Sequence, residues 1–82
     1  LYLMQVKIKT FGVARDIMGS REVSWSTTSK TVGELKDELQ AHHPALKHLN
    51  SLFVAVNHAY APDDQPLAET DEVALIPPVS GG

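Results

Sequence analysis

The sequence predicts an α+β domain in which a mixed sheet of about five strands carries one main helix across one face. Three observations lead there. The chain has 82 residues, 43% hydrophobic and 21% charged, an ordinary globular balance with room for one core and no second. Only one stretch, residues 31–42, has the spacing of a substantial helix. The remaining apolar residues mostly alternate with polar ones or form one short run, and both are strand signatures. A helix laid on one face of such a sheet buries the apolar side of each.

The elements follow in order. Met4, Val6, Ile8 and Thr10 alternate with Gln5, Lys7 and Lys9, the period of a half-buried strand. After Phe11-Gly12, the residues Val13, Ala14, Ile17 and Met18 fit one or two helical turns, stopped by Gly19. A second strand is expected over residues 22–26, with Val23 and Trp25 facing the core, and residues 26–30 read as polar loop. Thr31-Val32-Gly33-Glu34 has the spacing of a capping box. In it the Thr31 hydroxyl accepts from the Glu34 N–H while the Glu34 carboxylate reaches back to the Thr31 N–H. Val32, Leu35, Leu39 and His42 then share one helix face, and Pro44 ends the helix near His42. Residues 52–56 (Leu52-Phe53-Val54-Ala55-Val56) read as a well-buried strand, and residues 59–61 pair back across Asn57-His58. Leu67 is a core residue in an irregular stretch. Glu69-Thr70-Asp71 makes a turn, residues 72–76 form the last strand, and Pro77-Pro78 stops ladder pairing. Trp25 and Phe53 are expected in the core. A strand hairpin, a crossover helix and a closing strand beside the first describe a β-grasp, or ubiquitin-like, arrangement. Residues 1–78 form its single domain, and residues 79–82 a flexible tail. The opening lacks Met at position 1, and Leu1 to Leu3 are expected to be foreign to the native chain.

Composition removes several function classes. The absence of cysteine excludes a disulfide framework, a thiolate nucleophile and thiolate metal sites, and it fits a reducing, cytoplasmic setting. The longest apolar run has five residues, where a membrane-spanning helix needs about 20, so neither a membrane span nor a secretory signal is expected. A net charge of −3 argues against a nucleic-acid footprint. The charge is uneven: +1 over residues 1–41 and −4 over residues 42–82. Asp63, Asp64, Glu69, Asp71 and Glu72 in the second half would steer a basic partner. His42, His43, His48 and His58 match no ligand spacing, so no metal site is expected; His42 and His43 suit a helix C-terminus as cations. Asp63-Asp64 after Pro62 reads as a turn rather than a catalytic carboxylate pair.

The unusual feature is the end of the sequence. Glycines have no side chain to bury and lose entropy when ordered, so Gly81-Gly82 adds nothing to the fold. Without Cβ atoms the pair can thread a narrow channel and present an unhindered carboxyl group. Pro77-Pro78 keeps the base of that tail extended. The segment Thr70-Asp71-Glu72-Val73-Ala74-Leu75-Ile76-Pro77-Pro78-Val79-Ser80-Gly81-Gly82 closely resembles the terminus of the small, sulfur-carrying subunits of molybdopterin synthase. Phe11-Gly12-Val13-Ala14-Arg15-Asp16-Ile17-Met18-Gly19 is similar to that family's strand-to-helix segment, and Phe53-Val54-Ala55-Val56-Asn57 to its third strand. The resemblance thus spans nearly the whole chain after Leu3.

It implies a chemistry that needs no cysteine. An adenylating enzyme of the ubiquitin-activating type uses ATP to convert the Gly82 carboxyl to an acyl-adenylate, and a sulfur donor enzyme displaces AMP to leave a thiocarboxylate. The large synthase subunit takes in the tail, in an assembly of two small and two large subunits, and sulfur passes to a cyclic pyranopterin to form the molybdopterin dithiolene. No cofactor is held; the cargo is covalent sulfur. The chain is then an enzyme subunit without a complete active site of its own. Gly82 reacts, Gly81 gives access, and Pro77, Pro78, Val79 and Ser80 set reach and direction. Phe11, Tyr60 and Ile76 are expected to form an apolar patch beside the tail that anchors the large subunit. Three alternatives stay open: a sulfur carrier for thiamine, cysteine or tRNA thiolation, a ubiquitin-like modifier of lysines, and a β-grasp interaction module with an inert terminus.

Overall fold

The alternation that opens the chain becomes strand β1, Met4–Thr10. Val6, Ile8 and Thr10 are buried, and Gln5 and Lys7 face solvent. The structure, a computed structural model, describes residues 3–49 and 52–77. The expected boundary between domain and tail at residues 78/79 lies outside them. Helix α1, Gly12–Met18, follows and closes on Gly19, whose φ of 84° ends it with an N–H donated to the Arg15 carbonyl. Strand β2, Glu22–Thr27, returns antiparallel to β1, with Trp25 opposite Val6 and Val23 opposite Ile8. Helix α2 is Val32–His42, then comes a 3-10 helix, Pro44–His48. Strands β3, Phe53–Val56, and β4, Ala59–Tyr60, form a hairpin, and β5, Glu72–Ile76, completes the sheet.

The strand order is β2-β1-β5-β3-β4. β5 lies parallel to β1, with Val73 beside Ile8 and Leu75 beside Thr10, and antiparallel to β3, with Val54 opposite Leu75. The first and last strands are therefore central neighbours, and the architecture is a β-grasp. One sheet face supplies Val6, Ile8, Val54, Val56, Val73 and Leu75 to the core, and α2 covers them with Val32, Leu35 and Leu39. Ala14 of α1 and Leu46 of the 3-10 helix complete the core.

Several local expectations change. β2 runs on to Thr27, and Thr27 and Ser29 are buried rather than loop-like. Their partner is Glu38 on α2. Its Oε1 accepts from the Thr27 hydroxyl at 2.5 Å, from Trp25 Nε1 at 3.1 Å and from the Ser29 hydroxyl at 3.5 Å. Thr27 Oγ1 in turn accepts from the Ser29 N–H at 2.9 Å. The capping box is half formed. Thr31 Oγ1 accepts from the Glu34 N–H, but the Glu34 carboxylate takes the N–H of Lys30 instead of Thr31. Thr31 forms a backbone bridge with Pro66, so the chain enters the helix as an extended segment. His42 is exposed rather than buried, its ring standing edge-on to Trp25 with centroids 5.2 Å apart. Phe53 is not core: half its surface faces solvent. The 3-10 helix was not expected, because one buried leucine, Leu46, makes no periodicity.

Replacing Glu38 by Ala is expected to cost about 2 kcal/mol, because a carboxylate acceptor is lost and the buried Thr27 hydroxyl is left without one. Glu38→Gln, which keeps an acceptor oxygen, should lose less. Urea denaturation of the two variants beside the parent checks the order.

Candidate functional site

The sheet face opposite α2 carries the apolar patch. Ala74 and Ile76 project from β5 on that side, alternating with the buried Val73 and Leu75. Parallel pairing sets Thr10 beside Leu75, so Phe11, the next residue of the chain, arrives beside Ile76. Antiparallel pairing sets Ala55 opposite both Ala74 and Tyr60. Phe11, Ala55, His58, Tyr60, Ala74 and Ile76 together line an open groove of about 290 Å³. The structure thus brings Phe11, Tyr60 and Ile76 together, as the parity of their strands required. Phe11 is 50% and Tyr60 71% exposed, a large aromatic area for so small a surface.

Phe53 belongs with them. It stands directly opposite Ile76 in the β3–β5 ladder, and its ring meets the edge of Tyr60 with centroids 5.6 Å apart. With Val54 and Val56 turned to the core, Phe53 and Ala55 lie on the opposite sheet face; the uniformly apolar run does not by itself say which parity is buried.

The hairpin that carries His58 and Tyr60 is held by its turn. Asn57 and His58 have φ of 53° and 72°, the paired left-handed geometry that suits a two-residue hairpin loop. The Asn57 side chain accepts from the Glu72 N–H and donates to Asp71, each at 3.0 Å.

Where the tail leaves is also fixed. Gly12 has a φ of 55°, and a Cβ placed on it would lie 3.4 Å from the Pro77 ring. Pro77, the last described residue, therefore sits against the start of α1, beside Phe11. Pro78, Val79, Ser80, Gly81 and Gly82 lie outside the described residues.

Three of the acids that the charge count assigned to a steering surface are engaged within the fold. Asp63 packs over Gly33 and pairs with Lys36 at 3.2 Å. Asp71 is occupied by Asn57 and the Ala68 N–H. Glu72 pairs with Lys9 at 3.1 Å and lies 3.4 Å from His58. These carboxylates cap and brace the fold. Among the described residues no three His, Asp or Glu side chains gather as metal ligands, and no helix is long and apolar enough to cross a membrane.

A β-grasp with an aromatic groove on its open face, beside the exit of a Pro-Pro…Gly-Gly tail, has close counterparts. The profile of the ThiS family matches residues 8–82. The chain belongs to the ThiS family. The molybdopterin synthase sulfur carrier subunit of Mycobacterium tuberculosis is a relative at 36% identity, over 98% of this chain and all of that one. Among solved structures, SAMP1 of Haloferax volcanii, a small archaeal modifier protein, is similar with a TM-score of 0.79 and 33% identity, over 95% of this chain and 99% of that chain. Subunit 1 or 2 in the protein–protein complex of the Helicobacter pylori molybdopterin-converting factor matches with a TM-score of 0.66 and 26% identity, over 96% of this ThiS-family chain and all of its own.

Proposed function

We propose that this chain is the sulfur-carrier subunit of a molybdopterin synthase. The end-to-end likeness to a relative of that name carries the reading, and the Pro77-Pro78-Val79-Ser80-Gly81-Gly82 segment supplies its chemistry. The Gly82 carboxylate attacks the α-phosphate of ATP in an adenylating partner, releasing pyrophosphate. Sulfide-level sulfur from a donor then displaces AMP to give the thiocarboxylate, whose sulfur displaces an oxygen substituent from a pyranopterin carbon; water then cleaves the acyl–sulfur bond, leaving sulfur on the pterin and restoring the Gly82 carboxylate. This chain provides the acyl carbon and its sulfur; a partner's active site provides acids, bases and oxyanion stabilisation. The large subunit docks on the groove of Phe11, Tyr60 and Ile76, and the known complex of two converting-factor subunits supports such a partner. The protein works in the cytoplasm, in an assembly of two small and two large subunits.

The test is intact mass after incubation with ATP, the adenylating enzyme and a sulfur donor. The expected change is the replacement of one oxygen by sulfur, followed by return to the original mass when large subunit and pyranopterin are added. A likeness to a modifier protein favours a second reading, in which the activated Gly82 acyl group is transferred to lysine amines. Covalent adducts on other proteins, with no conversion of the pterin, would support that reading instead.

Replacing Phe11 by Ala should weaken association with the large subunit roughly tenfold or more, the loss typical of a central aromatic anchor. Its stability cost should stay within about 1 kcal/mol, since the ring is half exposed. Calorimetric titration and thermal melts read the two effects separately.

A further inference from the structure

A second concavity adjoins the groove, with Phe11 as the shared wall. It is a cleft of about 430 Å³ whose charged lining is Lys9, Arg15, Arg21 and Glu22. Arg15 and Arg21 also line the depression next to it, together with Asp16, so the two arginines border both hollows. Both stand on fixed backbone. The Arg15 carbonyl accepts the N–H of Gly19 that ends α1. The Arg21 carbonyl accepts the Thr10 N–H at 2.9 Å, and the Thr10 hydroxyl donates to the neighbouring Ser20 carbonyl.

Their charges are unanswered within the fold. Among the described residues the lysines in ion pairs are Lys7, Lys9 and Lys36; Arg15 and Arg21 are in none. Glu22 is directed to Lys7, at 3.8 Å. In a chain of net charge −3, two unpaired arginines therefore line one cleft, where Glu22 is drawn to Lys7 and Asp16 is the one other acid on the adjoining depression. Guanidinium groups are planar forks suited to carboxylates. The cleft also includes Gly12, against which Pro77 packs, so a protein that receives the tail must come past it.

We infer that the Arg15–Arg21 cleft docks an acidic segment of the protein that receives the tail, which orients that protein before the apolar groove closes. The inference rests on the sulfur-carrier reading and adds to it the charge of the partner's surface. The expectation of a basic partner rested on residues 42–82, whereas Arg15 and Arg21 belong to the first half of the chain.

The test is stopped-flow association of the full chain with the large synthase subunit over a range of salt concentrations. For the parent the on-rate should fall as salt rises, because opposite charges attract. In R15E/R21E the low-salt on-rate should fall about tenfold or more, and salt should then raise it. R15Q/R21Q should lose the salt dependence without inverting it, and K30E, beyond the opposite end of β2 from Arg21, should leave it unchanged. Far-UV circular dichroism of each variant checks that the fold persists, and the glutamine pair serves if the charge reversal does not fold. On-rates in both double variants equal to the parent's would overturn the inference alone. No binding by the parent would remove the carrier reading and the inference with it. Inorganic phosphate that occupies the cleft without slowing association would make it a small-anion site and overturn the docking role.

Discussion

Deleting Gly82 is expected to leave the fold unchanged and to abolish sulfur loading. Among the described residues the last member of the core is Leu75 in β5. Thermal and urea stability should therefore match the parent within about 0.5 kcal/mol. The chemistry should not survive, although Gly81 would then offer a carboxylate of its own. From Pro77 the chain advances at most about 3.5 Å per residue, so losing one residue withdraws the reacting carbon by about that distance. Misplacement by about 1 Å can already cost roughly 100-fold in rate. The deletion should show no gain of sulfur by intact mass, and pterin conversion should fall below detection. Retained conversion would overturn the carrier assignment, whatever the fold.

How much of this was legible depended on whether the physics was local. β1 and β5 were readable because alternating residues declare which face is buried; Val6, Ile8, Val73 and Leu75 are all fully buried. Their parallel pairing follows from the element order, and it brings Phe11 to Ile76. The run at residues 52–56 carries no alternation, so its exposed face was invisible until β5 fixed the register and turned Phe53 outward. Thr27 and Ser29 were misread for a different reason. Polar residues are buried when a partner satisfies them, and theirs is Glu38, 11 and 9 positions away. The arginine cleft was hidden by the charge count itself. A net charge sums over the surface, whereas docking responds to where charges remain unpaired. Asp63, Asp71 and Glu72 count fully in that sum, yet each is engaged within the fold.

Leu75→Ala is expected to have the largest effect on stability. Leu75 is fully buried in the central strand, flanked in register by Thr10 and Val54, and neighbouring β-strands leave little room for collapse around a lost side chain. Such truncations cost about 2–5 kcal/mol, against a total of roughly 4–12 kcal/mol for a domain of this length. A loss of about 3 kcal/mol would lower the melting temperature by roughly 12–24 °C. Ile76, one residue on, points to the opposite face and is only partly buried, so Ile76→Ala should lower it far less. The two variants also separate folding from docking. Cooled well below its melting point, Leu75→Ala should regain near-parental affinity for the large subunit, because its groove residues are intact. Ile76→Ala should bind weakly at every temperature, because its defect lies in the surface itself. Equal recovery of both on cooling would mean that Ile76 acts through stability, and the groove would lose its place as the docking surface.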